Sequence, residues 1–190
     1  MISLEEIFRS IYGAYRLARG DAGGMALFNA TPEGFWRSFF AAVLIAPFFA
    51  IFLALVFNPD EVTSGPLRYG SIQLISYIIG WTAFPVIMIS LCRHLQREQF
   101  FVRFIVAYNW ASVLQNALFL PVQLLAVGGL FAPPAAAFLA LIVLAAILVY
   151  VWFIAKTALD INPAAAAGIV FFDLVLSVAI NGITDGLLTG

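Results

Sequence analysis

The chain has 190 residues, of which 64% are hydrophobic, 15% aromatic and 10% charged, and its mean hydropathy is +1.04. Soluble domains are about 45–50% apolar and about 25% charged, so this composition excludes a water-soluble globular domain and a disordered chain. A single cysteine excludes an internal disulfide, and a net charge of -1 argues against nucleic acid as a partner. The composition therefore predicts an all-α, polytopic membrane protein that has the lipid bilayer as its solvent.

Residues 1–30 are predicted to form a cytoplasmic amphipathic segment that precedes the bundle. Ser3 and Glu6 have capping-box spacing, and Gly20 suits the end of a helix. The apolar residues of this segment share one helix face: Leu4, Ile7, Phe8, Ile11, Tyr15 and Ala18. The pattern fits an amphipathic helix that lies in the membrane interface, and it fits equally a helix packed under the bundle. Because Glu5 and Glu6 interrupt any apolar run, no cleavable signal peptide is predicted.

Five segments are long and apolar enough to cross a bilayer, which takes roughly 20 residues each. They are residues 35–57, 69–91, 103–127, 135–155 and 164–188. The connections between them are too short to hold a soluble domain. Residues 35–188 are therefore predicted to form one transmembrane bundle of five helices.

The basic residues give the predicted orientation, because eight of the nine Lys and Arg residues lie on one side of the bundle. Four of the eight follow the second and fourth spans or open the third: Arg93, Arg97, Arg103 and Lys156. Basic residues concentrate on the cytoplasmic side of membrane proteins. We therefore expect a cytoplasmic N-terminus and an external C-terminus, and the short loops and alanine-rich helices favour a bacterial inner membrane.

Asp173 is an acidic residue near the middle of the fifth span. It lies ten residues past Pro163, which is about 15 Å of helix rise and places it near the bilayer midplane. Ser177 and Asn181 follow at i+4 and i+8, so the three side chains form one polar stripe. Acids at this depth usually face the bundle or a wet cavity. Asp173 is therefore either a proton or cation site, or a protonated acid whose hydrogen bond to the third helix locks the bundle.

Polar residues of the second and third spans are predicted partners of Asp173. In the third span they recur along one side: Asn109, Ser112, Asn116 and Gln123. In the second span they are Gln73, Ser76 and Thr82. We expect Asn116 to lie at the depth of Asp173. Such amides usually hold helices together through bonds of about 0.6–2 kcal/mol each, and the alternative is a hydrophilic pathway.

Small residues at four-residue spacing predict close helix contacts in two spans. They are Ala42, Ala46, Ala50 and Ala54 in the first span and Gly182 and Gly186 in the fifth. Contact within the chain is one interpretation, and a homodimer seam is the other. Proline also falls inside three of the spans, at Pro47, Pro85 and Pro121, where it bends a helix as a hinge or a fixed kink.

No motif of catalysis or cofactor binding is found in the sequence. His94 is the only histidine, so no serine–histidine pair with a recognisable nucleophile motif is present, and Cys92 beside it makes a poor metal site. Nucleotide-binding glycine motifs are also missing. We therefore expect no enzymatic activity, no metal and no cofactor.

Two stretches resemble the YIP family, the Ypt/Rab-interacting membrane proteins and their bacterial relatives. They are "REQFFVRFIVAYNWASVLQNAL" and "VYVWFIAKTALDINPAAAAGIV", and the resemblance covers residues 35 to 188. It implies a bacterial-type member with five spans. The implied role is non-enzymatic, in membrane organisation, trafficking or assembly. We expect the protein to act in this role through helix contacts with itself, as a homodimer, or with other membrane proteins.

Two other functions remain open beside the one that the resemblance implies. The first is a small proton- or cation-linked transporter or channel that uses Asp173. The second is an accessory subunit of a larger membrane complex.

Overall fold

The computed structural model of the protein describes residues 2–57 and 65–189, and within these ranges it contains helices and no strand. This confirms the all-α fold. The helices are α1 (Leu4–Ala18), α2 (Pro32–Ser38), α3 (Phe40–Val56), α4 (Pro66–His94), α5 (Phe101–Val127), α6 (Pro133–Leu159) and α7 (Pro163–Thr189). Two short 3₁₀ segments, Ala22–Leu27 and Glu98–Phe100, lie in the connections after α1 and α4.

Five helical stretches in the described ranges are long and apolar enough to cross a membrane. They are Pro32–Val56, Pro66–His94, Glu98–Val127, Pro133–Leu159 and Pro163–Thr189. Each matches one predicted span to within a few residues at both ends. At a rise of about 1.5 Å per residue, each exceeds the roughly 30 Å of a hydrocarbon core. The protein is therefore a membrane protein with a five-helix bundle.

α5 is the central helix of the bundle. α5 packs against α1, α2, α3 and α6, while α7 packs between α6 and α4. The buried core lies at one end of the bundle, where α1 covers the start of α5 and the end of α6. We call this the α1 end. Its largest fully buried side chains come from four helices: Leu17, Phe84, Met88, Phe104, Ile105, Trp110, Ile154 and Leu159.

α1 packs under the bundle mainly through its small residues, and of the predicted apolar face Ile7 and Ile11 are half-buried against the core. Ser10, Gly13 and Ala14 are buried with Leu17, and the Tyr150 hydroxyl donates to the Ala14 carbonyl over 2.7 Å. Only small side chains fit here, because the segment Ala22–Leu27 passes very close to α1. A Cβ added at Gly13 would lie 3.1 Å from the Gly24 carbonyl oxygen.

The predicted apolar face of α1 is instead partly exposed. Leu4 and Phe8 remain 73% and 69% exposed. An apolar stripe beside charged residues is the form that an interfacial helix takes. Both interpretations of α1 thus describe a part of its surface.

One ion pair joins the N-terminal segment to α2, and a second lies within the segment. Ser3 caps α1 as predicted, accepting from the Glu6 N–H over 3.1 Å, but the Glu6 carboxylate turns away to Arg37 of α2 at 3.0 Å. Arg16 donates to Asp21 over 2.6 Å, and this hydrogen bond lowers the pKa of the Asp21 carboxyl. Because that pKa is lowered, the contribution of Asp21 to stability is present at neutral pH and is lost as the pH falls through it.

The four basic residues predicted for the cytoplasmic surface all lie at the α1 end. Arg103 donates to the carbonyls of Ala158 and Thr157, over 2.7 and 3.1 Å, and Arg97 donates to the Asp160 carbonyl over 3.2 Å. The last four carbonyls of a helix have no partner within it, and cations favour that end of the helix dipole. Arg97 and Arg103 therefore cap α6.

The other two basic residues make no such cap. The Lys156 ammonium lies 5.3 Å from the centre of the Trp152 ring, and Arg93 is exposed in the last turn of α4.

We expect Arg103→Ala to lower the stability of the bundle by about 1.5–3 kcal/mol, because a charged donor to the α6 carbonyls is lost. Thermal unfolding in detergent measures the change. Arg93→Ala removes the same charge from the same end and should leave the melting temperature close to that of the wild type. Equal melting of the two variants would contradict the capping role of Arg103.

Candidate functional site

A cavity of about 250 Å³ lies among α3, α4, α5 and α7. We call it the polar cavity, because ten of its sixteen described lining residues carry polar groups in their side chains. These are Gln73, Ser76, Tyr77, Trp81, Tyr108, Ser112, Asn116, Asp173, Ser177 and Asn181. Within a bundle that crosses a membrane, such a concentration of polar groups is unusual, since each is costly to place in hydrocarbon.

Tyr108 of α5 holds the Asp173 carboxyl group of α7. Its hydroxyl lies 3.0 Å from each of the two carboxyl oxygens. No ion pair with Asp173 occurs among residues 2–57 and 65–189. Among the described residues, the partner of this acid is therefore a neutral hydroxyl, and both side chains line the polar cavity.

Aromatic rings close the polar cavity toward the α1 end. The Tyr108 ring lies 4.6 Å from the Phe84 ring and 5.9 Å from the Phe104 ring, measured between centroids. Phe84, Phe104 and the adjacent Met88 are at most 1% exposed. This layer is closely packed, so the cavity ends at Tyr108 and Asp173 and does not continue to the α1 end.

The predicted polar stripes meet in this cavity. Asp173, Ser177 and Asn181 line it from α7, while Ser112 and Asn116 line it from α5. Asp173 is hydrogen-bonded to the third span, as one interpretation expected, but its partner is Tyr108. The Asn116 amide donates to the Ser112 carbonyl of its own helix over 2.9 Å.

Asn109 and Gln123 do not line the polar cavity, although the sequence placed them on the same stripe. Asn109 is fully buried and its amide donates to the Ser38 hydroxyl over 2.9 Å, which joins α5 to α2. Gln123 lies half-buried, farther along α5. The reason is depth: seven residues make about two full turns, so both share a face with Asn116, but Asn109 lies two turns nearer the α1 end, level with Ser38, and Gln123 lies two turns farther from it.

The second span contributes two of its three predicted residues. Gln73 and Ser76 line the polar cavity, whereas the Thr82 hydroxyl donates to the Ile78 carbonyl of its own helix and is exposed. Sequence reasoning missed Tyr108 and Tyr77. Tyr108 precedes Ser112 and Asn116 by four and eight residues, so the helical spacing that selected those two could have found it as well.

The small-residue stripes make only part of the intramolecular contacts that one interpretation expected: the Tyr77 hydroxyl of α4 donates to the Ala42 carbonyl of α3 over 2.7 Å. On α3 the buried residues are Ala41 and Ile45, while Ala42 and Ala46 are half-buried and Ala50 and Ala54 are exposed. α3 thus turns a neighbouring face toward α5. At Gly182 and Gly186 an added Cβ would meet open space, so these glycines bring no other described segment close to α7.

Comparisons of the chain with protein-family models, with curated proteins and with solved structures found no match in any of the three. In residues 2–57 and 65–189 no three His, Cys, Asp or Glu residues are placed to hold a metal ion together. The function is therefore argued from the polar cavity.

We expect Tyr108→Phe to lower the stability of the bundle by about 1–3 kcal/mol, because the buried Asp173 carboxyl group loses its hydrogen-bond donor. The melting temperature in detergent measures the loss. Tyr12→Phe removes a hydroxyl from an exposed tyrosine of α1 and serves as the control. A wild-type melting temperature for Tyr108→Phe would show that the hydrogen bond contributes nothing to folding.

We expect a cysteine at position 177 to react with a charged, water-soluble thiol reagent, because Ser177 lines the polar cavity. Val178 is the next residue of α7, is 63% exposed and does not line the cavity, so its side chain faces lipid. Val178→Cys is therefore the matched control and should stay unlabelled. Both variants are made in a Cys92→Ala background and labelled in sealed vesicles from one side at a time. Equal labelling of the two positions would contradict a water-filled cavity.

Proposed function

We propose that this non-enzymatic membrane protein binds a small cation, a proton included, in the polar cavity and moves it across the membrane. The observation that carries the proposal is the end of the cavity at Asp173. This acid accepts a hydrogen bond from one hydroxyl and lines the cavity together with other polar side chains. Intramembrane acids of this kind commonly mark ion paths and proton relays.

The chemistry of the lining supports a cation rather than an anion. Among the described residues that line the cavity, Asp173 brings the one carboxyl group, and none is Lys, Arg or His. A buried charge without a partner is costly, so the ionised acid favours a positive ligand at its side. Hydroxyl and amide oxygens of Ser112, Ser177 and Asn181 can replace water around that ligand.

The closed layer at the α1 end supports a mechanism with a conformational step. Phe84 and Phe104 block the way beyond Asp173, so a cation that enters the cavity cannot pass through a static bundle. The hydrogen bond between Tyr108 and Asp173 joins α5 to α7 across this point. In alternating access, two parts of a bundle rock around a fixed site near the midplane. Release of that hydrogen bond, as the acid exchanges its ligand, would couple binding to such a movement.

The positions of the basic residues support an orientation for this transport. The arginines and the lysine discussed above lie at the α1 end, whereas Arg68 lies at the other end, where it donates to the Leu187 carbonyl over 3.2 Å. The cytoplasmic side of a membrane is the side that attracts such clusters. The α1 end is then cytoplasmic, and the polar cavity receives its ligand from the external half of a bacterial inner membrane.

A second candidate function is membrane organisation through helix contacts, as the resemblance to the YIP family implies. The exposed stripe at Gly182 and Gly186 favours it, because small residues let a second helix approach closely. In this role the bundle would bind another copy or another membrane protein, including as an accessory subunit, and the hydrogen bond at Asp173 would serve packing alone.

Flux measurements in liposomes separate the two functions. We expect purified wild-type protein to raise proton or alkali-cation flux, and Asp173→Asn to abolish it, because the amide keeps the size and hydrogen bonding of the acid but cannot carry its charge. Ion-sensitive dyes inside the vesicles report the flux. Asp185→Asn is the matched control, since Asp185 lies on the same helix, is exposed and does not line the cavity.

The transport proposal requires that Asp173→Asn and Asp185→Asn differ in flux while both melt like the wild type. Wild-type liposomes with no flux of any tested cation would instead favour the packing role. Co-purification of a second membrane protein at a fixed ratio would then support organisation or assembly.

A further inference from the structure

An apolar groove of about 450 Å³ lies on the outside of the bundle between α3 and α5. Side chains of Leu44, Phe48, Ile51, Val113, Leu120 and Leu124 line it. Its lining is almost wholly hydrocarbon. Pro121 also borders it, and a proline inside a helix bends that helix away from its neighbour.

The apolar groove and the polar cavity adjoin each other. Ile45 of α3 and Asn116 of α5 line both of them, so these two side chains form the boundary. Asn116 belongs to the same stripe of α5 as Tyr108 and Ser112. A molecule that crosses this boundary would therefore have one end beside Asp173 and the other between α3 and α5, in contact with the bilayer.

We propose that the ligand of this protein is a cationic amphiphile, whose ammonium head group lies in the polar cavity beside Asp173 and whose single apolar chain lies in the groove between α3 and α5. The proposal rests on the proposed function, because it names the class of cation that the cavity binds. A bare inorganic ion would leave the groove without a role.

Size and polarity both match this class of ligand. The two spaces, of about 250 and 450 Å³, together fall within the roughly 300–1,000 Å³ of small-molecule sites. One space offers a carboxylate and hydroxyls, and the other offers branched and aromatic hydrocarbon. An amphiphile already dissolved in the bilayer would enter sideways between α3 and α5, without passing the closed α1 end.

The test compares ethylammonium with dodecylammonium on protein reconstituted in nanodiscs, by calorimetric titration with empty nanodiscs subtracted. Ala117 is exposed and lines the groove, so Ala117→Phe fills the space of the chain. We expect this variant to weaken dodecylammonium binding about tenfold, because the added ring competes with the alkyl chain for the groove. Ethylammonium has no long chain, so its binding should be unchanged. Ala145→Phe adds the same ring at an exposed position of α6 and should bind both amines like the wild type.

The outcomes separate this inference from the proposed function. Equal dodecylammonium affinities of Ala117→Phe and Ala145→Phe, with ethylammonium still bound, would overturn the amphiphile and leave the cation site. Absence of saturable dodecylammonium binding to the wild type would also overturn the amphiphile, whereas the proposed function fails separately, if wild-type liposomes show no cation flux.

A second measurement uses the wild type alone, so it does not depend on how a variant folds. Dodecylammonium with a photoreactive group at the end of its chain should label residues 44–51 and 113–124. Labelling confined to α6 and α7 would contradict the groove as the seat of the chain.

Discussion

The bundle depends on the packing of α5, whose first half is buried at the α1 end. Phe104, Ile105, Ala107 and Ala111 are fully buried there, among α1, α2 and α6. A bilayer provides no hydrophobic force between helices, so close contact and hydrogen bonds must hold them together. α5 provides both: Arg103 caps α6, and Asn109 binds α2 through Ser38. The other helices are arranged around this one.

Because the contacts are concentrated at the α1 end, the two halves of the bundle have different properties. The α1 end is closely packed, aromatic and tied by side chains to helix ends. The other half encloses the polar cavity and opens the groove between α3 and α5. Asp173 lies at the boundary, where Tyr108 reaches it from the packed half. A polar site at this level can exchange a bound cation with its surroundings while the packed core of the α1 end stays intact. Both proposals depend on this arrangement.

The sequence was sufficient for the fold and only partly sufficient for the site. The number, limits and order of the spans could be predicted because apolar length is a strong constraint in a bilayer. The polar stripe of α7 could be predicted because its three members lie four residues apart. The sequence does not show which residues of neighbouring helices lie at the same depth in the membrane. Tyr108 was therefore missed as the partner of Asp173. Gly182 and Gly186 show the same limit, because spacing reveals a groove but not which helix, if any, fills it.

The prolines connect the two halves. Pro47 and Pro121 lie in α3 and α5, the two helices that form the apolar groove, and both helices run through them without a break. Each proline removes one backbone hydrogen bond and leaves a point where the helix bends at low cost. Pro47 lies about two turns from the start of α3 and Pro121 more than five turns from the start of α5, so both lie beyond the contacts of the α1 end. Bending at these points would widen the boundary at Ile45 and Asn116 and would leave the packed core of α5 in place. Lateral entry of a ligand from the bilayer therefore requires no disruption of the interactions on which the fold depends.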